Sequence, residues 1–150
     1  MQTVEQFFQD YAQAYISGAL SRFEQLVATP SLLLAGEQKT LLTDSESLRQ
    51  HVLATVEKYR ALGIEHADFV LQHQLRLSEQ LQFVSLYWRF YDSSGKVMFT
   101  CHTSYTLQAL QGSWQVVSII TDDEQAAYDR LLWSCELNLV RGEDSLVRAL

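Results

Sequence analysis

His73 is the polar residue with the clearest chemical potential in this sequence of 150 residues. It lies near the centre of residues 64–78, where hydrophobic and polar residues alternate as they do in a β-strand. One face of this strand carries Phe69, Leu71, His73, Leu75 and Leu77. Because histidine titrates near neutral pH, an imidazole on such a face can act as a base or a hydrogen-bond donor in a pocket. The alternative is a core histidine that is bonded to a backbone carbonyl or to a tyrosine.

Several tyrosines could add hydroxyl groups to the same pocket. Tyr11 and Tyr15 are four residues apart and share a face of a predicted helix, whereas Tyr87 and Tyr105 lie on predicted strands. A buried tyrosine hydroxyl needs a hydrogen-bond partner, so tyrosines beside a histidine can orient the polar end of an apolar ligand. The alternative is ordinary core packing. We predict Tyr11, Tyr15, His73, Tyr87 and Tyr105 as ligand-binding residues, with His73 and Tyr11 as the candidates for catalysis.

Patterns that would indicate a metal, a phosphate cradle or a hydrolase are missing. Cys101 and His102 are neighbours, and adjacent strand residues point to opposite faces, so they cannot share an ion without a bulge. The sequence has no C-x-x-C or H-x-x-x-H spacing, no glycine-rich loop and no G-x-S-x-G elbow. We therefore predict no metal site and no cofactor.

Two helical regions and a hairpin are predicted in the first half of the chain. Apolar residues recur at helical spacing over residues 4–27, with a break at Gly18, and Pro30 is expected to end the second helix. Short β-type runs at 31–36 and 40–43 predict a hairpin. A third helix is predicted over about 45–62, with a capping box formed by Thr43 and Glu46.

The second half of the chain has the pattern of a meander of strands. From residue 64 the hydrophobic period falls towards two, and turn signals at 78–80, 92–95 and 111–112 separate four long strands. An apolar stripe then predicts a C-terminal helix over about 123–141. We expect a single domain over residues 1–150, because no linker or repeat interrupts the pattern.

Composition excludes several classes of partner. The chain has 11 Lys+Arg against 18 Asp+Glu, which gives a net charge of -7 and predicts no binding of nucleic acid. No apolar run approaches the roughly 18 residues that would span a bilayer, and the first ten residues do not resemble a secretory signal. We expect a cytoplasmic protein with no membrane association.

Three short motifs support a resemblance to a known family. They are Phe8-x-x-Tyr11-Ala12, Asp92-x-x-Gly95-Lys96 and Gly112-Ser113-Trp114-x-Val116. Together with the order of helices and strands, they resemble the nuclear transport factor 2-like superfamily, which includes ketosteroid isomerases and polyketide cyclases. The resemblance covers about residues 3–121. It implies an α+β cone, in which a strongly bent antiparallel sheet wraps around the N-terminal helices.

The resemblance also implies a pocket and a second subunit. The concave face of the sheet would hold the pocket, with His73 and Tyr11 on opposite walls, and the convex face would form a homodimer. Tyr11 falls at the position of the catalytic tyrosine of ketosteroid isomerases, but no Asp or Glu occurs between Asp92 and Asp122 to supply the second acid of their sites. The base position near the hairpin is occupied by Ala35 or Gly36.

We therefore predict a protein that binds a small, largely apolar molecule. One alternative is an isomerase or lyase, similar to a cyclase or dehydratase, that acts through a His/Tyr pair. Another is an interaction or dimerisation module that binds no ligand.

Overall fold

The computed structural model describes residues 1–121 and Arg130, and in this part of the chain helices and strands follow the predicted order. The predicted C-terminal helix lies outside the described residues, apart from Arg130. The helices are α1 (Val4–Ser17), α2 (Leu20–Leu26) and α3 (Ser45–Ala61). The strands are β1 (Val27–Ala35), β2 (Gln38–Leu42), β3 (Ile64–Arg76), β4 (Leu81–Asp92), β5 (Val97–Leu110) and β6 (Ser113–Thr121).

Local signals explain where the helices begin and end. Thr3 and Gln6 form a capping box at the start of α1, and Gly18 ends that helix in the left-handed conformation with φ 70°. The cap of α3 was predicted one residue too early. Asp44, and not Thr43, is its N-cap, and its carboxylate accepts a hydrogen bond of 2.9 Å from the backbone of Ser47. The reason is that Asp is the stronger N-cap residue of the two.

The six strands form one sheet in the order β2-β1-β6-β5-β4-β3. The predicted hairpin of β1 and β2 and the predicted meander of β3 to β6 are both present as antiparallel pairs. The hairpin joins the meander through a parallel pairing of β1 with β6, which the sequence did not predict. Pro30 does not end α2, because the helix already ends at Leu26 and Pro30 lies in β1. The residue is tolerated there because the β1–β6 register shifts between Val27 and Leu32, where a missing N–H breaks no regular ladder bond.

The inner face of the sheet packs against the helices. Along β4, Val84, Leu86, Trp88 and Phe90 are buried, while the residues between them are half-exposed. The ring of Phe8 on α1 lies 4.7 Å from the ring of Tyr105 on β5, and Phe69 on β3 lies 5.3 Å from Trp88. Aromatic side chains from α1 and from three strands therefore share one core.

A β-bulge in β3 overturns the predicted position of His73. Leu71 pairs with Leu86 and His73 pairs with Ser85, so two residues of β3 oppose one residue of β4 at this point. The extra residue is Gln72, and it reverses the alternation of faces. Leu71 keeps its place on the inner face, whereas His73 is exposed on the outer face together with its partner Ser85.

None of the helices within residues 1–121 is long and apolar enough to cross a membrane.

The bulge leads to a test of stability. Leu86 is fully buried, so Leu86→Ala should lower the free energy of unfolding by about 2–5 kcal/mol. Leu75 follows the bulge and is 58% exposed, so Leu75→Ala should change the free energy of unfolding by about 0.5 kcal/mol or less. Urea denaturation of both variants measures the difference. If both variants lost the same free energy of unfolding, Leu75 would be buried, and the reversal of faces at Gln72 would be contradicted.

Candidate functional site

A cavity of about 220 Å³ lies between the helices α1 and α3 and the inner face of the sheet. Its lining combines an apolar wall from the sheet with tyrosine and polar side chains from the helices. The lining residues are Tyr11, Ala12, Tyr15, Leu33, Ala35, Gln38, His51, Thr55, Lys58, Tyr59, Ala67, Trp88, Phe90, Phe99, Thr103, Tyr105, Ile119 and Thr121. This volume is more than one water molecule needs, so the cavity suits a small molecule.

Three of the predicted ligand-binding tyrosines line this cavity. They are Tyr11 and Tyr15 on α1 and Tyr105 on β5. The ring of Tyr11 lies 5.2 Å from the ring of Tyr15 and 5.6 Å from that of Tyr105. The hydroxyl of Tyr105 accepts a hydrogen bond of 3.1 Å from Nε1 of the buried Trp88. This bond satisfies the indole of Trp88 and orients the ring of Tyr105.

Two of the predicted site residues are not in this cavity. His73 is exposed on the outer face as a result of the bulge, so it does not face Tyr11 across the pocket. Tyr87 also lies on the outer face, where its ring is 4.9 Å from the ring of His102. Cys101 is buried on the opposite face from His102, as expected for neighbours in a strand. The predicted pair of His73 and Tyr11 is therefore wrong in its geometry.

The helix α3 supplies a polar stripe that the sequence analysis missed. His51, Thr55 and Lys58 all line the cavity. Their spacing of four and three residues places them on one face of a helix, in a row about 10 Å long. The signal was present in the sequence, because this row runs beside the buried row of Leu48, Val52, Val56 and Tyr59. Because His51 is half-buried and Lys58 is exposed, this row lies at the border between the apolar and polar faces of the helix.

His51 is held in its neutral form more strongly than an ordinary histidine. Burial lowers the pKa of His51 below its ordinary value of 6.5, and the positive charge of Lys58 lowers this pKa further. Thr55 donates a hydrogen bond of 3.2 Å to the backbone carbonyl of His51, so its hydroxyl proton is used within the helix. At neutral pH the imidazole can therefore donate one hydrogen bond and accept one.

The charges at the cavity are unlike those of the chain as a whole. Among the described lining residues, the ionisable groups other than the tyrosines are His51 and Lys58, and none is an Asp or Glu. The sheet contributes polar groups through Thr103 and Thr121. Within residues 1–121, no three His, Cys, Asp or Glu residues are placed so as to hold a metal ion. The arrangement can enclose an apolar body and offer hydrogen bonds to its polar end.

The chain matches a family model and several solved structures. The model described as NTF2-like protein (DUF6841) matches residues 2–124. An NTF-2 like protein of unknown function from Shewanella oneidensis MR-1 is 13% identical, with a TM-score of 0.62 over 79% of this chain and 94% of that chain. A domain with a cystatin-like fold from Nostoc punctiforme is 11% identical, with a TM-score of 0.63 over 94% of both chains. A ketosteroid isomerase-like protein from Erwinia carotovora is 14% identical, with a TM-score of 0.53 over 77% of this chain and 86% of that chain.

These likenesses concern the fold. They confirm the predicted α+β fold of the nuclear transport factor 2-like type. A short match to a different protein also occurs: the chain is 60% identical over 35 residues to a protein-arginine rhamnosyltransferase from Pseudomonas aeruginosa. That match covers 23% of this chain and spans only 8% of the length of the transferase.

The environment of His51 leads to a prediction about pH. Because its pKa is lower in the folded chain, the unfolded chain takes up the proton first as the pH falls through about 6.5. The free energy of unfolding should therefore decrease as the pH falls from above 6.5 to below the folded-state pKa, and His51→Gln should remove this component. NMR titration of the imidazole measures the pKa directly.

The same titration separates the two causes of the shift. Lys58→Met should raise the pKa of His51 part of the way towards 6.5, because it removes the nearby positive charge but leaves most of the burial. Lys96→Met is the control, since Lys96 lies in the turn between β4 and β5. A folded-state pKa of His51 at or above 6.5 in the unmodified chain would contradict the structure.

Proposed function

The chain belongs to the NTF2-like protein family (DUF6841), and from this premise we propose that it binds a small, largely apolar molecule in the cavity beside Tyr11. The observation that carries the proposal is the cavity itself. It remains open at about 220 Å³ although it is surrounded by large aromatic side chains that could have filled it. Protein interiors are close-packed, so a cavity of this size with several converging polar groups is a candidate binding site.

The chemistry of the walls supports an apolar ligand with one polar end. Phe90, Phe99 and Ile119 on the sheet side would contact an apolar body. His51 and Lys58 on the side of α3 would contact a polar end. The volume is below the range of roughly 300–1,000 Å³ that is typical of pockets for drug-sized ligands, so the ligand would be a small one.

The two alternatives from the sequence have less support. An interaction module whose side chains fill its pocket would leave no such cavity beside Tyr11. An isomerase or lyase that acts through His73 and Tyr11 would need both groups within reach of one substrate, and the bulge in β3 places His73 on the other face of the sheet.

The outer face of the sheet supports a second proposal, that the chain forms a homodimer. On this face Val70 is 45% exposed and Leu75 is 58% exposed, and they lie beside the half-buried Phe83, Tyr87 and Tyr91. A contact of about 800 Å² per subunit would cover these side chains and has the size of a stable interface. Three polar groups on this face are paired with one another, since Asp68 accepts hydrogen bonds from Arg89 at 2.7 Å and from Tyr91 at 3.0 Å.

A variant that fills the cavity tests the binding proposal. Ala35 lines the cavity and is half-buried, so Ala35→Phe should occupy the space a ligand needs. We expect small neutral aromatic probes, indole and benzamide, to bind the unmodified chain with dissociation constants of about 1 mM or below and to lose at least tenfold in affinity in the variant. Shifts of the backbone amide NMR signals of the lining residues measure the affinity of the unmodified chain and that of the variant.

The matched control is Ala54→Phe. Ala54 is exposed on α3 and does not line the cavity, so the same added volume should leave probe binding unchanged. If neither of these probes nor benzoate, their anionic counterpart, shifts the signals of the lining residues up to about 10 mM, the proposal is wrong.

Sedimentation equilibrium tests the dimer. We expect a mass twice the 17.2 kDa of the chain at micromolar concentration, and Val70→Glu should shift the protein to the monomer by burying a charge in the interface. Leu41→Glu is the control, since Leu41 is 57% exposed on β2 at the far edge of the sheet. A mass near 17.2 kDa for the unmodified chain would exclude the dimer.

A further inference from the structure

We infer that the ligand of the cavity is a small apolar or aromatic carboxylic acid, whose carboxylate is received by Lys58 and His51 on α3. This inference rests on the proposed function, because it names the class of molecule that the same cavity binds. Its observations are the sign of the charges at the cavity, the row of polar residues on α3 and the limit that the volume sets.

The first observation is the sign of the charge. The chain has 18 Asp+Glu against 11 Lys+Arg, so most of its ionic side chains are acidic. The described lining of the cavity has the opposite bias, with Lys58 as its ionic group, His51 as its other basic group and no carboxylate. At this wall Lys58 attracts an anion and repels a cation, and because its side chain is exposed this effect is largest at low ionic strength.

The second observation is the position of the basic groups. His51 and Lys58 are seven residues apart on α3, so they lie two turns apart on one face of the helix and both face the cavity. The opposite wall comes from the sheet and is apolar at Phe90, Phe99 and Ile119. A molecule with an acidic end and an apolar end has a matching arrangement.

The third observation is the effect of an anion on His51. Burial and Lys58 both disfavour the protonated imidazole in the empty cavity. A carboxylate between the two basic groups would accept a hydrogen bond from the imidazole and would offset the positive charge of Lys58. Binding would therefore raise the pKa of His51, which gives the inference a spectroscopic signature that is independent of affinity.

The volume limits the size of the acid. A cavity of about 220 Å³ accommodates a single aromatic ring with a carboxylate, and it is too small for the chain of a membrane fatty acid. Benzoate is therefore a suitable probe. Benzamide has nearly the same shape and differs mainly in charge, so the pair isolates the contribution of the carboxylate.

The test compares benzoate with benzamide by NMR titration at neutral pH and low ionic strength. We expect benzoate to bind the unmodified chain about tenfold more tightly than benzamide and to raise the pKa of His51. Lys58→Met should remove the preference for benzoate over benzamide, because it removes the positive charge that receives the carboxylate. The control is Lys39→Met, because Lys39 is an exposed lysine on β2 that does not line the cavity, and this variant should keep the preference.

The outcomes separate this inference from the proposed function. If both probes bind in the cavity and benzamide binds as tightly as benzoate, the inference is overturned and the proposed function stands. The inference is also overturned if Lys58→Met keeps the preference for benzoate, since Lys58 would then not be the group that receives the carboxylate. If neither probe binds, both the inference and the proposed function are wrong. Far-UV circular dichroism of each variant confirms that the helices are intact.

Discussion

The packing of α1 across the inner face of the sheet is the contact on which the rest of the structure depends. Phe8 is fully buried between the ring of Phe69 on β3 and the ring of Tyr105 on β5. Three residues along the same helix, Tyr11 contacts Phe23 of α2 and lines the cavity. One apolar face of α1 therefore binds the sheet, the second helix and the pocket wall together. The cavity exists because α1 and α3 both rest on the sheet without filling the space between them.

Much of the fold could be predicted from local patterns. The residues Thr3 and Gln6 mark the start of α1, and Gly18 marks its end, because capping and the left-handed conformation need those residue types at those places. The alternation along β4 was equally informative, since Trp88 and Phe90 are buried and Tyr87 is turned outwards as the period of two requires. These signals lie within a few residues of the structure that they determine.

Other features depend on contacts that no local pattern encodes. The parallel pairing of β1 with β6 joins residues more than 80 positions apart, and its pairs include Leu33 with Ile119. The bulge at Gln72 has no residue type that marks it, and it changes the face on which His73 and Leu75 lie. A shift of one residue in a strand moves every later side chain to the other face. The prediction that His73 faces the pocket is wrong for this reason. The basic residues that do line the cavity, His51 and Lys58, could have been found from their spacing beside the buried row of α3.

The two faces of the sheet differ in their surroundings. Its inner face, with Trp88 and Tyr105, encloses a cavity, and its outer face, with Val70 and Leu75, presents apolar surface. The central claim is that the cavity holds a small molecule. Native mass spectrometry of the chain isolated from the cells that encode it tests this claim most directly. We expect a bound small molecule on the unmodified chain, and we expect Ala35→Phe to lose it. An unmodified chain that carries no bound molecule, even after incubation with an extract of those cells, would contradict it.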